Sequence, residues 1–191
     1  MLLLAAACSH SGDDGRSGLR IALDLTSPSA GVMDVTWLED GGGAGGILVM
    51  EILARDISSP FDGFDLELTF DPLIATAQSV SGGSLLETCS AGSVLKADNV
   101  ANGNANTSGT ILISEALTGA SPPGCTFGGT RTLARVTFRA AGRGSSPTGF
   151  VPYNGNPNVP AGSRFYRRAT SVPEVPVTFF DGSAVLNVTH P

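Results

Sequence analysis

The stretch from Phe61 to Leu86, FDGFDLELTFDPLIATAQSVSGGSLL, carries a strong strand pattern. Its first half alternates apolar and polar side chains, and this period of two predicts a strand that buries one face. The apolar members are Phe64, Leu66, Leu68 and Phe70, and the polar members are Asp65, Glu67, Thr69 and Asp71. Pro72 ends the strand, because proline has no N–H to donate to a neighbouring strand. The apolar run from Leu73 to Val80 predicts a second strand.

The composition of the chain indicates one globular, turn-rich domain. Its 191 residues are enough to bury a real core, with 41% hydrophobic residues, 15% charged residues, 25 Gly and 12 Pro. Eleven basic residues against 17 acidic ones leave a net charge of -6. Nucleic-acid binding is therefore not expected, because it depends on a basic surface.

Short segments with strand character recur along the rest of the chain, separated by turns rich in Gly, Pro and Asn. They are 19–25, 32–38, 47–54, 94–97, 110–115, 131–140, 175–180 and 184–188, with 164–170 as a weaker candidate. The 47–54 segment is nearly all apolar, which predicts a central strand covered on both faces. The 99–109 segment, NVANGNANTSG, predicts turns. No long segment has the period of a helix, so the sequence predicts an all-β sandwich or barrel.

The N-terminal residues 1–8, MLLLAAAC, resemble the end of a bacterial lipoprotein signal peptide, in which the cysteine becomes lipidated. This resemblance implies that Cys8 carries the lipid. A frayed apolar tail is the alternative. Residues 9–18 contain no apolar side chain and predict a flexible tether, which leaves 19–191 as the folded domain. No apolar run approaches the roughly 18 residues of a membrane span. We therefore expect an exported chain that reaches the cell envelope only through a lipid anchor.

The remaining cysteines, Cys89 and Cys125, form an even pair. In an exported chain such a pair predicts a disulfide, and two buried thiols are the alternative. Neither cysteine has the spacing or the nearby histidine of a metal site.

The sequence offers no catalytic constellation. The histidines are His10, in the tether, and His190, next to the C-terminus, and neither is placed to act as the base for a serine. Carboxylate pairs such as Asp56 and Asp62 have the spacing of loop residues. Asp98 is the one charged residue of an Asn-rich segment, which favours turns over a calcium site. We therefore expect a protein that is not an enzyme and has no cofactor.

Four segments, in this order, resemble bacterial cohesin domains. They are GFDLELTFDP with ATAQSVSGGSLL, then TILISEALTG, LARVTFRAAGRGSS and VTFFDGSAVLNV. The resemblance spans roughly residues 19–191 and implies a jelly-roll β-sandwich of two mostly antiparallel sheets. It also implies that one sheet face binds a dockerin, a small helical module that carries the calcium itself.

The resemblance also implies binding residues. Asp65 matches an aspartate of the family's binding strand, while Gly63 stands where the family has an asparagine. Leu112 and Glu115 match a leucine and a glutamate of the family's binding face.

The charged residues beside these positions predict a rim. Asp65 and Glu67 lie on the polar side of their strand, and Arg135 and Arg139 lie on the polar side of theirs. In cohesins these two strands are neighbours, so the resemblance implies one charged patch that steers a partner. The alternative is a set of cross-strand pairs that only solvate an outer face.

A carbohydrate-binding module of similar sandwich fold is the rival hypothesis. Sugar recognition usually needs a row of exposed aromatic rings, and Trp37, Tyr153 and Tyr166 are the candidates for it. We therefore expect a lipid-tethered, non-catalytic module that holds a dockerin-like protein at the cell envelope.

Overall fold

The computed structural model describes residues 19–22, 32–40, 47–55, 57–83, 85–89, 94–118, 124–155, 162–167, 174–175, 178–179 and 184–188. The signal-like segment, Cys8 and the tether lie outside these residues. The strands are β1 Leu19–Ala22, β2 Val32–Asp40, β3 Ile47–Arg55, β4 Gly63–Thr69, β5 Ala75–Gly82, β6 Val94–Asp98, β7 Thr110–Leu117, β8 Thr130–Ala140, β9 Gly144–Phe150, β10 Arg164–Tyr166, β11 Glu174–Val175, β12 Thr178–Phe179 and β13 Ala184–Val188. Two short helices are α1 Leu85–Cys89 and α2 Asn104–Ser108.

The strands form two sheets. The eight-stranded sheet runs β1-β13-β9-β4-β10-β11, with β7 paired to β4 and β6 paired to β7. The five-stranded sheet runs β12-β2-β3-β8-β5. The pairings are antiparallel except that of β12 with β2. The predicted all-β fold, a sandwich of two mostly antiparallel sheets, is confirmed.

Strand β4 lies within the larger sheet and behaves as its alternation predicts. Phe64, Leu66 and Leu68 are buried, whereas Asp65 and Glu67 on the other face are half-buried. Strand β7 pairs along the whole of one side of β4, and β10 and β9 share the other side. Burying each such side chain contributes roughly 1.5–3 kcal/mol, so the alternation orients the strand.

Strand β8 supplies the facing layer of the core. Its predicted buried face is confirmed by four residues, Ala134, Val136, Phe138 and Ala140. The ring of Phe138 meets the ring of Phe70, the residue that follows β4, edge-on at a centroid distance of 5.4 Å. The neighbouring strand β3 buries Met50 and Ile52. Its other face is only half-buried at Glu51 and Leu53, so the prediction that this strand is covered on both faces is wrong.

Three elements escaped the sequence patterns. Strand β9, GSSPTGF, has only one apolar residue, Phe150, in its buried row beside Ser146 and Thr148, so hydrophobic periodicity does not reveal it. Helix α2 lies inside the segment predicted to be turns only. Helix α1 follows the Gly82-Gly83 turn. Each is short or polar, and its position depends on partners that are distant in sequence.

Candidate functional site

The outer face of four strands, β10, β4, β7 and β6, is the candidate site. The strand registers place Asp65 of β4 opposite Ser114 of β7 on one side and opposite Arg164 of β10 on the other. Glu67 lies opposite Leu112. Because directly opposed residues point to the same face, these side chains share the surface that faces away from the core.

Asp65 is held at the centre of this face by two side chains. Ser114 Oγ donates a hydrogen bond to Asp65 Oδ1 at 2.7 Å. Arg164 Nε donates to Asp65 Oδ2 at 2.8 Å, and the side chains of the pair are 20% and 21% exposed. Both carboxylate oxygens therefore have a partner within the domain, which fixes the orientation of Asp65.

Two tyrosines flank Arg164. Its guanidinium carbon lies 4.7 Å from the ring centroid of Tyr153 and 5.4 Å from that of Tyr166. Burial by itself would lower the pKa of Arg164, but the hydrogen bond and charge of Asp65, with a contribution from Tyr153, raise it above its ordinary value. The guanidinium therefore stays charged and lies close to two aromatic rings.

Gly63 makes room for one of these rings. It is buried, and it lies opposite Tyr166 in the register. A Cβ at this position would lie 2.6 Å from Tyr166 Oη and 2.7 Å from the carbonyl oxygen of Glu115. The structure therefore leaves no space at this position for the asparagine that the resemblance would place here.

Glu67 is tied to the loop before β10. Gly162 N donates to Glu67 Oε2 at 2.5 Å. The main chain of Glu67 also exchanges two hydrogen bonds with Ser163 Oγ and accepts one from Val151 N. The carboxylate of Glu67 therefore points toward this loop and holds it at the border of the outer face.

The β7 and β6 side of the face is apolar. Leu112 is 45% exposed and Leu95 is 64% exposed. Leu95 lies opposite Ala116, four residues beyond Leu112, so both leucines belong to the outer face. The side-chain amide of Asn99 joins the two strands, because it accepts from Leu112 N and donates to Thr110 O. Two large apolar side chains are therefore presented to solvent on a braced surface.

Glu115 does not lie on this face. It is 2% exposed and points inward with Ile113 and Leu117. The expectation that it is a surface contact beside Leu112 is wrong. The two residues are three positions apart, an odd number, and a strand sends such residues to opposite faces.

The predicted charged patch is also wrong. Arg135 and Arg139 lie on β8, which belongs to the other sheet and does not pair with β4. Arg135 forms an ion pair with Glu51 of β3 on the outer face of that sheet. Because both β4 and β8 turn their apolar sides to the common core, their polar sides point in opposite directions.

The sequence missed Ser114, Arg164 and Leu95 as members of the face. Ser114 had a local signal, since it alternates with inward-facing residues of a predicted strand. Leu95 had none, because its neighbours are the half-buried Val94 and the exposed Lys96. Arg164 had none, because 99 residues separate it from Asp65. The two tyrosines are among the aromatic candidates that the sequence offers. The third, Trp37, is in β2 of the other sheet.

The structure joins Cys89 and Cys125 in a disulfide, with Cα atoms 5.3 Å apart. The bond links the end of α1 to the segment that precedes β8. Cys125 also exchanges two backbone hydrogen bonds with Phe61, at 2.7 and 3.0 Å. Helix α1 is thereby attached to the chain just ahead of β4.

In the part of the chain that the structure describes, no group of three or more His, Cys, Asp or Glu side chains is arranged to hold a metal ion. Asp98 instead accepts hydrogen bonds from Val100 N and Ala101 N, as a turn residue does. None of the helices in those same ranges has the length and hydrophobicity needed to cross a membrane.

The fold is similar to that of solved cohesin modules. No family model and no curated protein matches the sequence. A type II cohesin dyad from the adaptor scaffoldin ScaA of Acetivibrio cellulolyticus matches 82% of this chain at a TM-score of 0.58 and 16% identity, and the chain spans 48% of the dyad. A type II cohesin from Bacteroides cellulosolvens matches 84% of this chain and 99% of its own length at 0.57 and 11% identity.

A third solved structure is a complex. It contains a type II cohesin and an X-dockerin from Acetivibrio cellulolyticus, and it matches 78% of this chain and 91% of its own chain at a TM-score of 0.52 and 15% identity. The resemblance seen in the sequence is thus confirmed at the level of the fold: this chain contains a cohesin-like domain.

Proposed function

We propose, from the premise that the chain has the fold of cohesin modules, that it is a non-catalytic protein-binding module for a dockerin-like partner. The partner would lie on the outer face of β10, β4, β7 and β6 and would carry the calcium. The proposal keeps the division into a signal-like segment at 1–8, a tether at 9–18 and a binding domain at 19–191. It also keeps an exported chain that is anchored at the cell envelope through lipid on Cys8.

The observation that carries the proposal is the pair of exposed leucines, Leu95 and Leu112, beside the fixed network of Asp65. Apolar side chains that lose water on association provide most of the affinity of an interface, and aligned polar groups provide register. The face lies on hydrogen-bonded strands, so little conformational freedom would be lost on binding. One of the similar solved structures is itself a cohesin complex with an X-dockerin.

The arrangement of the polar groups on the face favours a binding role over a catalytic one. Asp65 is bonded to Ser114 and Arg164, and Glu67 is bonded to Gly162. Carboxylates that are held in this way direct their oxygens at neighbouring donors of the domain, so they are poorly placed to take a proton from a substrate. They are better suited to present a constant surface to a partner.

Titration calorimetry of the 191-residue chain against purified type I and type II dockerin modules tests the proposal, in calcium and again in EDTA. We expect one class to bind in calcium and not in EDTA. Leu112→Asp should weaken that binding by about tenfold or more, since it places a charge in the apolar part of the interface. Arg139→Ala is the matched control, because Arg139 is exposed on the opposite sheet.

Two results would contradict the proposal. One is that no dockerin of either class binds in calcium. The other is that Leu112→Asp and Arg139→Ala weaken binding equally, which would place the partner elsewhere. Retention of the chain on a polysaccharide column, lost on Tyr153→Ala, would instead favour the carbohydrate-binding alternative.

A further inference from the structure

A buried carboxylate lies directly behind the proposed partner face. Glu115 of β7 points into the edge of the sandwich and is 2% exposed. One of its oxygens, Oε1, lies 3.8 Å from Lys96 Nζ, and the other, Oε2, has no hydrogen-bond partner. Lys96 is directly opposite Glu115 in the β6–β7 register. A buried carboxylate with an unpartnered oxygen is costly when it is ionised.

Lys96 is shared between two carboxylates and the main chain. Its Nζ lies 2.8 Å from Glu87 Oε1 of α1 and donates to the carbonyl oxygen of Gly83 at 3.2 Å. One ammonium group therefore connects β6, α1 and the end of β5. Gly82 leaves space for this cluster, since a Cβ there would collide with Glu115 Oε1 and would lie 2.7 Å from Lys96 Nζ.

The charges around Glu115 act in opposite directions. Burial raises the pKa of Glu115 to about 7, Lys96 opposes this rise, and Glu87 adds to it. The other residues packed against the carboxyl group, Phe64 opposite it on β4 and Gly82 on β5, carry no charge. Close to neutral pH, the closed cluster therefore holds a proton that a solvated glutamate would release.

We propose that Glu115, Lys96 and Glu87 form a proton-controlled latch that holds β6 and α1 against the edge of the sandwich. With a proton on Glu115, the carboxyl group is neutral, and Lys96 remains with Glu87 and Gly83. When Glu115 ionises, the buried anion can be hydrated only if β6 and α1 separate from the edge. Raising the pH therefore opens the latch.

The direction in which pH changes the opening of the latch follows from proton linkage. The closed state binds the proton more tightly than the open state, in which Glu115 has an ordinary pKa near 4.5. The opening constant therefore rises with pH between these two pKa values and levels off above the higher one. With the closed pKa at about 7, opening should become about tenfold easier from pH 6 to pH 8.

The latch bears on the partner face because Leu95 belongs to β6. This step rests on the proposed function. A partner that covers Leu95 needs β6 in place, so its affinity should fall as the latch opens. The latch itself does not depend on any partner, and it can be measured in the free chain.

Hydrogen exchange of the β6 and α1 amides in the full chain, corrected for the intrinsic pH dependence of exchange, tests the latch. We expect about tenfold more opening at pH 8 than at pH 6 in the wild type, and no such change in Glu115→Gln, which is neutral at both pH values. Amides of β8, in the other sheet, are the internal control. A wild type without this pH dependence, or a Glu115→Gln variant that retains it, would overturn the proposal.

Two further measurements test the latch even if the Glu115→Gln variant does not fold. Among the described residues, Lys96 is the cation that lowers the pKa of Glu115, so Lys96→Met should move the pH at which opening levels off upward. A shift downward would contradict the latch, even if Glu115→Gln fails to fold. Dockerin titrations at pH 6 and pH 8 form the separate arm. If exchange shows the latch but no dockerin binds, the proposed function fails and the latch stands.

Discussion

The pairing of Asp65 with Arg164 should stabilise the domain measurably, although both residues lie on its outer face. The perturbation is a double-mutant cycle of Asp65→Ala and Arg164→Ala. If the carboxylate is held in place as the geometry indicates, the loss in the double variant should be smaller than the sum of the two single losses. The difference is the coupling energy of the pair.

The magnitude follows from the exposure of the pair. Fully exposed ion pairs contribute about 0–1 kcal/mol, and breaking a buried pair costs about 3–5 kcal/mol. The side chains of Asp65 and Arg164 are 21% and 20% exposed, with a hydrogen bond of 2.8 Å. We therefore expect a coupling energy of about 1–2 kcal/mol. Arg164→Ala should cost more than Asp65→Ala, because it also removes two contacts with tyrosine rings of about 0.5–1 kcal/mol each.

Urea denaturation of the four proteins gives the coupling energy, and a second cycle provides the control. Glu51 and Arg135 form an ion pair on the outer face of the other sheet, with the arginine 47% exposed. That pair should couple by less than about 1 kcal/mol. If Asp65 and Arg164 couple by less than about 0.5 kcal/mol, or by no more than the control, the inference that Asp65 is preorganised is refuted.

Two further predictions concern what joins the elements. Asn106 of α2 accepts from Ala77 N at 2.7 Å and donates to Ala77 O at 2.8 Å. Asn106→Ala should therefore lower the free energy of unfolding by about 1–3 kcal/mol in urea, whereas Gln78→Ala, an exposed neighbour, should change it by under about 0.5 kcal/mol. Reducing the Cys89–Cys125 bond, which spans a sequence separation of 36, should cost about 4 kcal/mol. Thermal unfolding that is unchanged by reductant would contradict this.

Much of the fold is readable from local patterns. In β4 and β8 the alternation of apolar and polar residues correctly identifies which side chains are buried, because a strand has a fixed period of two and one face must leave water. The same rule, applied strictly to β7, would have placed Glu115 inside and Ser114 outside. Strand β9 could not be found in this way. Its buried Ser146 accepts from Asp71 N at 2.7 Å, and that partner is 75 residues away.

The candidate site, like the fold, is only partly predictable from local sequence patterns. The alternation in β4 predicts that Asp65 and Glu67 face away from the core, and the resemblance implied a surface position for Leu112. The structure places all three on one outer face. The sequence by itself had no means to determine their neighbours. Alternation assigns a residue to one face of its strand, but it does not say in which sheet the strand lies or which strand pairs beside it.

Those neighbours depend on how distant strands pair in the folded chain. The tertiary structure placed Arg164 beside Asp65 and moved Arg135 and Arg139 to the opposite side of the sandwich. Strand pairing between distant segments is selected by the joint burial of both sheets, a property of the whole chain. Which side chains of a strand are buried therefore depends on its local sequence. Which residues make up the binding face depends on the pairing of distant strands.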